Sequence, residues 1–164
     1  MSMKPEELKK ICINLLHDRG VEISDITDIV FDLQKKYISD LSFEVCEDAV
    51  LRVLSKREVH YAVLTGIELD MLAEKQMLSE PLQSLIDSDN PLYGIDEILV
   101  LSICNVYGSI GLTNFGYVDK VKPGIIGKLD QEGKLSNKCH TFLDDIIGAI
   151  AAAAASSVAH NSEK

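Results

Sequence analysis

The sequence predicts an all-α fold, a single-domain bundle of about six to eight helices around a buried, alanine-rich central helix. Apolar residues recur at spacings of three and four along most of the 164 residues, which is the period of one helix face. Capping residues and glycines fall at the ends of these runs, where helices start and stop. The alternating β-branched runs between hairpin turns that indicate strands are missing from the sequence. We expect one domain over residues 1–164, with N-terminal helices in 1–54 and a core in 55–160.

The first third of the chain predicts three amphipathic helices. Pro5 suits the first turn of a helix that Gly20 would end as a C-cap. Ser24 would cap the second helix, and the third would run from about Ser42 to Leu54. Their apolar stripes are Leu8, Ile11, Cys12 and Leu15; Ile26, Ile29, Val30, Leu33 and Tyr37; and Val45, Ala49, Val50 and Val53.

The next segment predicts a long amphipathic helix followed by a short one. Ser55 and Glu58 have the spacing of a capping box, so the fourth helix would begin there and reach about Lys75. Pro81 would open a short helix to about Ile86, and residues 87–91 would form a polar turn.

Two later segments are apolar on nearly every side. IDEILVLSICNVY, residues 95–107, has no polar face after its first turn, so we expect a helix that is buried all round. The segment from Phe142 to His160 is similar and has an alanine-rich centre. Its small side chains would let neighbouring helices approach closely, which predicts a helix through the middle of the bundle.

Between these two helices, residues 108–138 predict an irregular stretch. They contain six of the ten glycines of the chain, together with Pro123. Glycine allows the backbone to bend sharply or to approach a ligand. We therefore expect the functional site here, supported by both helices.

Composition excludes some classes of protein. Sixteen Lys and Arg against 26 Asp and Glu give a formal charge of −10, which argues against binding nucleic acid or a polybasic contact with anionic lipid. The polar first ten residues lack the apolar run of a signal peptide. The nearest approach to a membrane span is residues 146–159, which are too few for the ~20 residues required. We expect a cytoplasmic protein without a membrane span.

Cysteine usage also indicates a reducing compartment. The four cysteines are far apart in the sequence, and each lies in an apolar helical context, so we expect buried, reduced thiols. They are Cys12, Cys46, Cys104 and Cys139.

Acidic residues carry the most specific chemical signal. One pair opens each apolar helix, and three further charged residues lie between them. The set is Asp96 and Glu97, Asp144 and Asp145, and Asp119, Lys122 and Asp130. Taken singly, carboxylates at helix starts can be explained as caps that favour the positive end of the helix dipole.

Taken together, the carboxylates favour a bound cation. Four carboxylates that converge on core helices would repel one another and raise their pKa values unless a cation neutralises them. Mg²⁺ commonly combines a few carboxylates with phosphate oxygens of a ligand. Lys122 would add a positive charge for the same phosphate. The sequence therefore predicts a divalent cation and a phosphorylated ligand.

Several of these segments resemble phosphatidylglycerophosphatase A: IDE at 95–97, FGYVDKVKP at 115–123, Asp130, and LDDIIG at 143–148. The wider match includes KREVHYAVLTGIELDMLAEK and VLSICNVYGSIGLTNFGYVDK, and it resembles the soluble Gram-positive branch of that family, the low-temperature-requirement C or YutG-like group. The resemblance implies a magnesium-dependent phosphatase that acts on phosphatidylglycerophosphate, with an all-helical fold. Gly116 stands where membrane-bound members carry arginine, and residues 1–54 have no counterpart in those members.

Two functions of different classes follow. In the first, a phosphomonoesterase, Lys122 stabilises charge on the transferred group and either Asp130 or Asp96 orients the attacking water. One or two Mg²⁺ ions would be held by Glu97, Asp119, Asp144 and Asp145.

In the second, the chain is a non-catalytic helical oligomer that keeps the acidic pocket as a structural metal or ligand site, with a role in cold adaptation. The partners that we expect are a phosphorylated small molecule or a lipid head group and a second copy of the chain. Nucleic acid is not expected, and contact with a membrane would be peripheral.

Overall fold

The computed structural model describes residues 3–162, and over this range it is all-α, as predicted. Eight helices have ten to twenty residues, and one more, α5, has six. The helices are α1 (Pro5–Asp18), α2 (Ile23–Gln34), α3 (Phe43–Val53), α4 (Arg57–Glu74), α5 (Leu82–Asp87), α6 (Ile95–Cys104), α7 (Gly108–Val121), α8 (Ile125–Leu135) and α9 (Leu143–Ser162). A 3-10 turn, Asn105–Tyr107, joins α6 to α7.

Helix α9 forms the centre of the bundle. It packs against α2, α3, α4, α6, α7 and α8, while α1 packs on the outside of α4. Its alanines at 149 and 151–155 are all fully buried. The predicted buried, alanine-rich central helix is therefore confirmed.

Helices α4 and α9 approach each other closely at Gly66. A Cβ atom at this position would lie 2.7 Å from Ile146 Cδ1 and 3.0 Å from Phe142 Cβ, so no side chain fits. The close contact brings Asp70, one turn further along α4, to the start of α9. There its carboxylate accepts hydrogen bonds from the backbone N–H groups of Phe142 (3.0 Å) and Leu143 (2.9 Å). A side chain of α4 thus satisfies backbone donors that open α9.

The predicted helix starts are correct in part. Ser42 caps α3 by accepting a hydrogen bond from Val45 N–H, as expected. Helix α2 begins one residue before Ser24, with Glu22 as its N-cap. The capping box at Ser55 is wrong, because Lys56 is the N-cap of α4 and the Ser55 hydroxyl instead donates to the Leu51 carbonyl at the end of α3.

The expectation of an irregular stretch over residues 108–138 is wrong, because α7 and α8 occupy most of it. Gly108 and Gly124 lie at the starts of these two helices and have φ angles of 74° and 56°. The other four glycines of the stretch lie inside the helices. Packing against α9 therefore outweighs the weak helix propensity of glycine here.

The expectation that residues 95–107 are buried all round is also wrong. Val100, Ile103 and Cys104 are buried on the side that faces α4 and α9, whereas Ile98 is 62% exposed. Ile95, Leu101 and Val106 are exposed as well. An apolar helix of this kind needs partners on every side, and residues 3–162 of one chain supply them on one side only.

Two helical segments, Ile95–Val121 and Leu143–Ser162, are long and apolar enough to cross a membrane by length and composition alone. The expectation that residues 146–159 come nearest to this criterion is therefore wrong, since residues 98–118 carry no charged side chain. Helix α9 is the buried core of the bundle. Ile95–Val121 is mostly exposed, and here it is divided into α6, the 3-10 turn and α7.

The four cysteines are buried free thiols, as predicted. Burial raises the pKa of Cys12 to about 11 and the pKa values of Cys104 and Cys139 to about 12. These thiols therefore stay protonated at neutral pH and act as small apolar side chains.

Candidate functional site

The seven charged residues that the sequence singled out all line one cavity of about 340 Å³. We call it the acidic cavity. The residues come from the first turn of α6, the last turn of α7, α8 and the first turn of α9. They are Asp96, Glu97, Asp119, Lys122, Asp130, Asp144 and Asp145.

The connection between α6 and α7 explains how distant residues meet. Asp96 and Glu97 lie at the start of α6, and Asp119 lies near the end of α7, yet all three line the same cavity. Helices α6 and α7 are also in contact with each other, and both pack on α9. Residues 95–121 therefore form a helical hairpin that is open at the acidic cavity, and we call it the α6–α7 hairpin.

Lys122 stands among the carboxylates. Its Nζ atom is 3.0 Å from an oxygen of Asp144, 3.6 Å from one of Asp119 and 3.9 Å from one of Asp130. Its backbone has a φ of 48°, in the left-handed region that non-glycine residues adopt at a cost of about 1–2 kcal/mol. Burial alone would lower the pKa of Lys122, but the adjacent carboxylates, chiefly that of Asp144, outweigh it and raise the pKa well above its usual value.

Asp144 and Asp145 are both buried in the first turn of α9. Burial is the main reason why their pKa values are raised, and the charge of Asp144 is the next cause for Asp145. Asp144 has Lys122 as its counter-ion. The carboxyl group of Asp145 forms no ion pair or hydrogen bond with any other group in residues 3–162, so it faces the cavity unpaired.

Two other carboxyl groups of the cavity show the same contrast between a paired and an unpaired group. Asp130 pairs with Lys134 Nζ at 2.7 Å, one turn away on α8. Asp96 is buried, and within the described part of the chain its carboxyl group has no hydrogen bond and no ion pair. Burial, followed by the charges of Asp119 and Asp96, raises the pKa of Glu97.

The donor set suits a hard divalent cation. Seven carboxyl groups line the cavity against two ammonium groups, those of Lys122 and Lys134, and carboxylate oxygens are the ligands that Mg²⁺ prefers. Between residues 3 and 162, however, no three Asp, Glu, His or Cys side chains stand in an arrangement that is ready to hold a metal ion. The ammonium group of Lys122 lies among the carboxylates that would have to converge.

The sequence analysis did not single out two charged residues of the cavity, Asp89 and Lys134. Asp89 lies in the turn between α5 and α6, where its spacing was compatible with an ordinary polar turn. Lys134 lies four residues after Asp130, so the i,i+4 spacing of opposite charges on a helix could have identified it.

A second polar cluster lies beside the acidic cavity and holds the loop that leads into α9. Arg19 donates hydrogen bonds to Glu74 and to the Cys139 carbonyl, and Glu74 accepts from Cys139 N–H at 2.8 Å. His140 contacts Glu132 through Nε2 at 2.9 Å and Arg19 through Nδ1 at 3.2 Å. Burial is the main reason why the pKa of His140 is lowered.

Two residues of this cluster, Cys139 and His140, also line a second cavity of about 330 Å³ that shares a wall with the first. Neither of them lines the acidic cavity, whereas Asp89, Asp130, Lys134 and Asp144 line both cavities. His140 lies four residues before Asp144 in the sequence, yet it contacts Arg19 and Glu132 and none of the carboxyl groups of the acidic cavity.

Comparisons with a family model and with known proteins agree on one family. The model of the family described as phosphatidylglycerophosphatase A matches residues 22–160. YutG of Bacillus subtilis strain 168, described as uncharacterized, is 59% identical over 145 residues, which are 88% of this chain and 86% of YutG. YpjQ of the same organism, also uncharacterized, is 58% identical over 154 residues, which are 94% and 85% of the two chains.

A solved structure gives the same fold. The crystal structure of the low temperature requirement C protein from Listeria monocytogenes superposes with a TM-score of 0.93 at 55% sequence identity. The match covers 98% of this chain and 100% of that protein.

Proposed function

The chain belongs to the phosphatidylglycerophosphatase A family, and from that premise we propose that it is a magnesium-dependent phosphatase whose active site is the acidic cavity. The observation that carries the proposal is the unpaired, buried carboxyl group of Asp145 beside six other carboxyl groups. A buried carboxyl group without a partner is costly, and such groups persist where a ligand uses them. The substrate that we propose is phosphatidylglycerophosphate, by analogy with the family.

Glu97, Asp119, Asp144 and Asp145 would hold the metal. They come from α6, α7 and α9, so one ion would tie three helices together at the mouth of the α6–α7 hairpin. Bound Mg²⁺ supplies positive charge that polarises the phosphoryl oxygens and lowers the pKa of water. With a cation held by Asp144, the ammonium group of Lys122 would be available to bind the phosphate.

Asp96 is the better candidate to orient the attacking water. Asp130 is already paired with Lys134 and lies 3.9 Å from Lys122, so its lone pairs are in use. Asp96 is buried and has no partner in residues 3–162, which leaves its carboxylate free to accept a proton from water.

Exposed apolar side chains at the cavity suit an amphiphilic substrate. Pro91 lines the acidic cavity and is exposed, and the next residue, Leu92, is almost fully exposed. The acyl chains of a lipid would contact these side chains while its phosphate enters the cavity.

The test is phosphate release from phosphatidylglycerophosphate in mixed micelles and from water-soluble phosphomonoesters, with Mg²⁺ or with EDTA. We expect turnover that EDTA abolishes and that Asp145→Asn reduces at least about 100-fold in kcat/KM. The matched control is Asp48→Asn, which removes an exposed carboxylate of α3 and should leave turnover unchanged.

Two results would contradict the proposal. Tight Mg²⁺ binding without turnover of any phosphomonoester would favour the non-catalytic alternative, a helical protein with a structural ion. Turnover that is indifferent to both EDTA and Asp145→Asn would place the active site elsewhere.

A companion pair of variants separates the two candidate bases. With saturating Mg²⁺, Asp96→Asn should lower kcat at least about 10-fold with KM nearly unchanged, whereas Asp130→Asn should keep kcat within about twofold of the wild type. The opposite result would assign the role to Asp130.

A further inference from the structure

The outer face of the α6–α7 hairpin is apolar and uncovered. Ile98 and Ile110 are 62% and 50% exposed, and the hairpin contributes eight of the exposed large apolar side chains of the described chain. They are Ile95, Ile98, Leu101, Val106, Ile110, Leu112, Tyr117 and Val121. A concentration of exposed apolar side chains on one pair of helices is typical of an interaction site rather than of open surface.

The same face is free of charge. Residues 98–118 contain no Asp, Glu, Lys or Arg, although the chain as a whole is 26% charged. Depletion of charged residues is the compositional mark of an interface core.

We propose that a second copy of this chain covers the outer face of the α6–α7 hairpin. Fifteen of the 21 uncharged residues 98–118 are exposed or half-buried in the single chain, which approaches the roughly 20–30 residues that each partner contributes to a standard interface. An isologous contact between two such faces buries apolar side chains on both partners at once.

Gly116 provides a second observation on this face. It lies inside α7, and a Cβ atom there would have no neighbour within 4 Å, so nothing in the chain requires a glycine. Glycine in a helix interior costs about 1 kcal/mol relative to alanine. The close approach of a helix from a second copy would use the space that this glycine leaves.

Electrostatics favours a second copy over a lipid surface. Peripheral helices that bind anionic bilayers carry clusters of Lys and Arg beside the apolar face. Here the ends of the hairpin carry Glu97 and Asp119 with Lys120, they adjoin the acidic cavity, and the chain has a net charge of −10. Two uncharged faces can meet without bringing these carboxylates into the centre of the contact.

The experiment is sedimentation velocity and light scattering of the full chain from nanomolar to micromolar concentrations. We expect a species of at least twice the 18.1 kDa chain mass for the wild type. Ile110→Glu and Ile98→Glu should each weaken self-association at least about 100-fold, because each buries an unpaired charge in the contact. Circular dichroism and thermal unfolding verify that both variants fold.

The matched control is Leu135→Glu, which introduces the same charge at a side chain of α8 that is 86% exposed and lies outside the hairpin. It should self-associate like the wild type. A wild type that stays monomeric throughout, or folded Ile98→Glu and Ile110→Glu variants that self-associate normally, would overturn the proposal.

Vesicle co-sedimentation tests whether a lipid surface, rather than a second copy of the chain, covers this face. Wild type that binds phosphatidylglycerol or phosphatidylcholine vesicles as a monomer, with binding lost in Ile110→Glu and kept in Leu135→Glu, would assign the face to lipid and overturn the proposal. Because self-association is measured without substrate or Mg²⁺, its failure and the failure of the phosphatase proposal are distinguishable.

Discussion

The start of α9 has two acidic sides that differ in how their carboxyl groups are satisfied. On one side, Asp70 accepts hydrogen bonds from the backbone N–H groups of Phe142 and Leu143. On the other side, Asp145 is nearly as deeply buried, yet its carboxyl group has no partner in residues 3–162. Burial raises the pKa of both groups, that of Asp70 to about 8.

This difference separates architecture from function. The Asp70 side, together with Arg19 and Glu74, holds the loop before α9 through hydrogen bonds to its backbone, and of the Arg19 guanidinium only the buried Nε has no partner within residues 3–162. The Asp145 side concentrates negative charge that Lys122 neutralises only in part. Replacement of a residue such as Asp70 should therefore lower the stability of the fold. Replacement of a residue such as Asp145 should raise that stability and abolish ligand binding.

The largest expected effect is that of Asp70→Asn. The amide can present one oxygen to the N–H groups that open α9, but its NH₂ group would face the remaining donor. We expect the free energy of unfolding to fall by about 3 kcal/mol in urea titrations. Glu68→Gln makes the same change from a carboxyl group to an amide on the exposed side of α4 and should have almost no effect. Equal effects of the two variants would mean that Asp70 does not cap α9.

Asp145→Asn should have the opposite sign. Without Mg²⁺ and at about pH 8, removal of the unpaired carboxyl group should raise the free energy of unfolding by about 1–2 kcal/mol. Millimolar Mg²⁺ should then stabilise the wild type and leave the variant unchanged, since only a folded chain with an intact site gains from the ligand. Thermal unfolding with and without Mg²⁺ measures both effects. A variant that is less stable than the wild type without Mg²⁺ would remove the distinction between the two sides.

The sequence predicts the Asp145 side of α9 but not the Asp70 side, and the reason is physical. Asp144 and Asp145 lie at the start of an apolar helix, and Lys122 lies in a turn of charged residues, so local spacing and the family resemblance identify them. Asp70 acts on residues 72 and 73 positions later in the chain, and periodicity within α4 does not reveal such a contact. The same holds for the pairing of Arg19 with Glu74.

The apolar patterns predicted the buried central helix correctly, but they did not predict which side of α6 is exposed. The alanine run of α9 was enough to predict a central helix, because a helix without a polar face must be buried. The same rule failed for α6, where residues such as Ile98 are exposed in the single chain. Glycines at 108–133 were interpreted as loop residues, although packing on α9 keeps most of them in helices.

The pH dependence of stability should show the raised pKa values. Unfolded aspartate loses its proton at about pH 4, whereas folded Asp70 keeps its proton to about pH 8, so the folded state binds more protons in between. Stability is therefore highest at low pH within this window and falls as the pH rises. For Asp70 alone we expect a loss of about 1–2 kcal/mol between pH 6.5 and pH 8. Urea titrations across this range measure the slope, and a stability that rises with pH would contradict it.

Lys122→Met tests the role of the lysine as an internal counter-ion. Without the ammonium group the free energy of unfolding should fall by about 1 kcal/mol, a modest value because Lys122 is about one-third exposed. Mg²⁺ should then bind more tightly by calorimetry, because the ion no longer competes with a lysine for Asp144. Lys134→Met, which removes the other ammonium group of the cavity, is the matched control and should change Mg²⁺ affinity less. Unchanged Mg²⁺ affinity in Lys122→Met would show that lysine and metal do not share a carboxylate.

The smallest effect should come from Glu132→Gln on the paired side. Glu132 is exposed and contacts His140, while Arg19 still holds the Cys139 carbonyl next to it, so the loop before α9 keeps its other hydrogen bonds. We expect a loss of only a few tenths of a kcal/mol, because the amide oxygen of the variant can still accept the hydrogen bond from His140 Nε2. Because Glu132 raises the pKa of His140, its replacement should shift the His140 titration to lower pH, which proton NMR would detect. Phosphatase activity should stay within about twofold of the wild type, since His140 lies outside the acidic cavity. A loss of tenfold or more with Mg²⁺ binding intact would mean that the loop side takes part in the chemistry, and the division between the two sides of α9 would then fail.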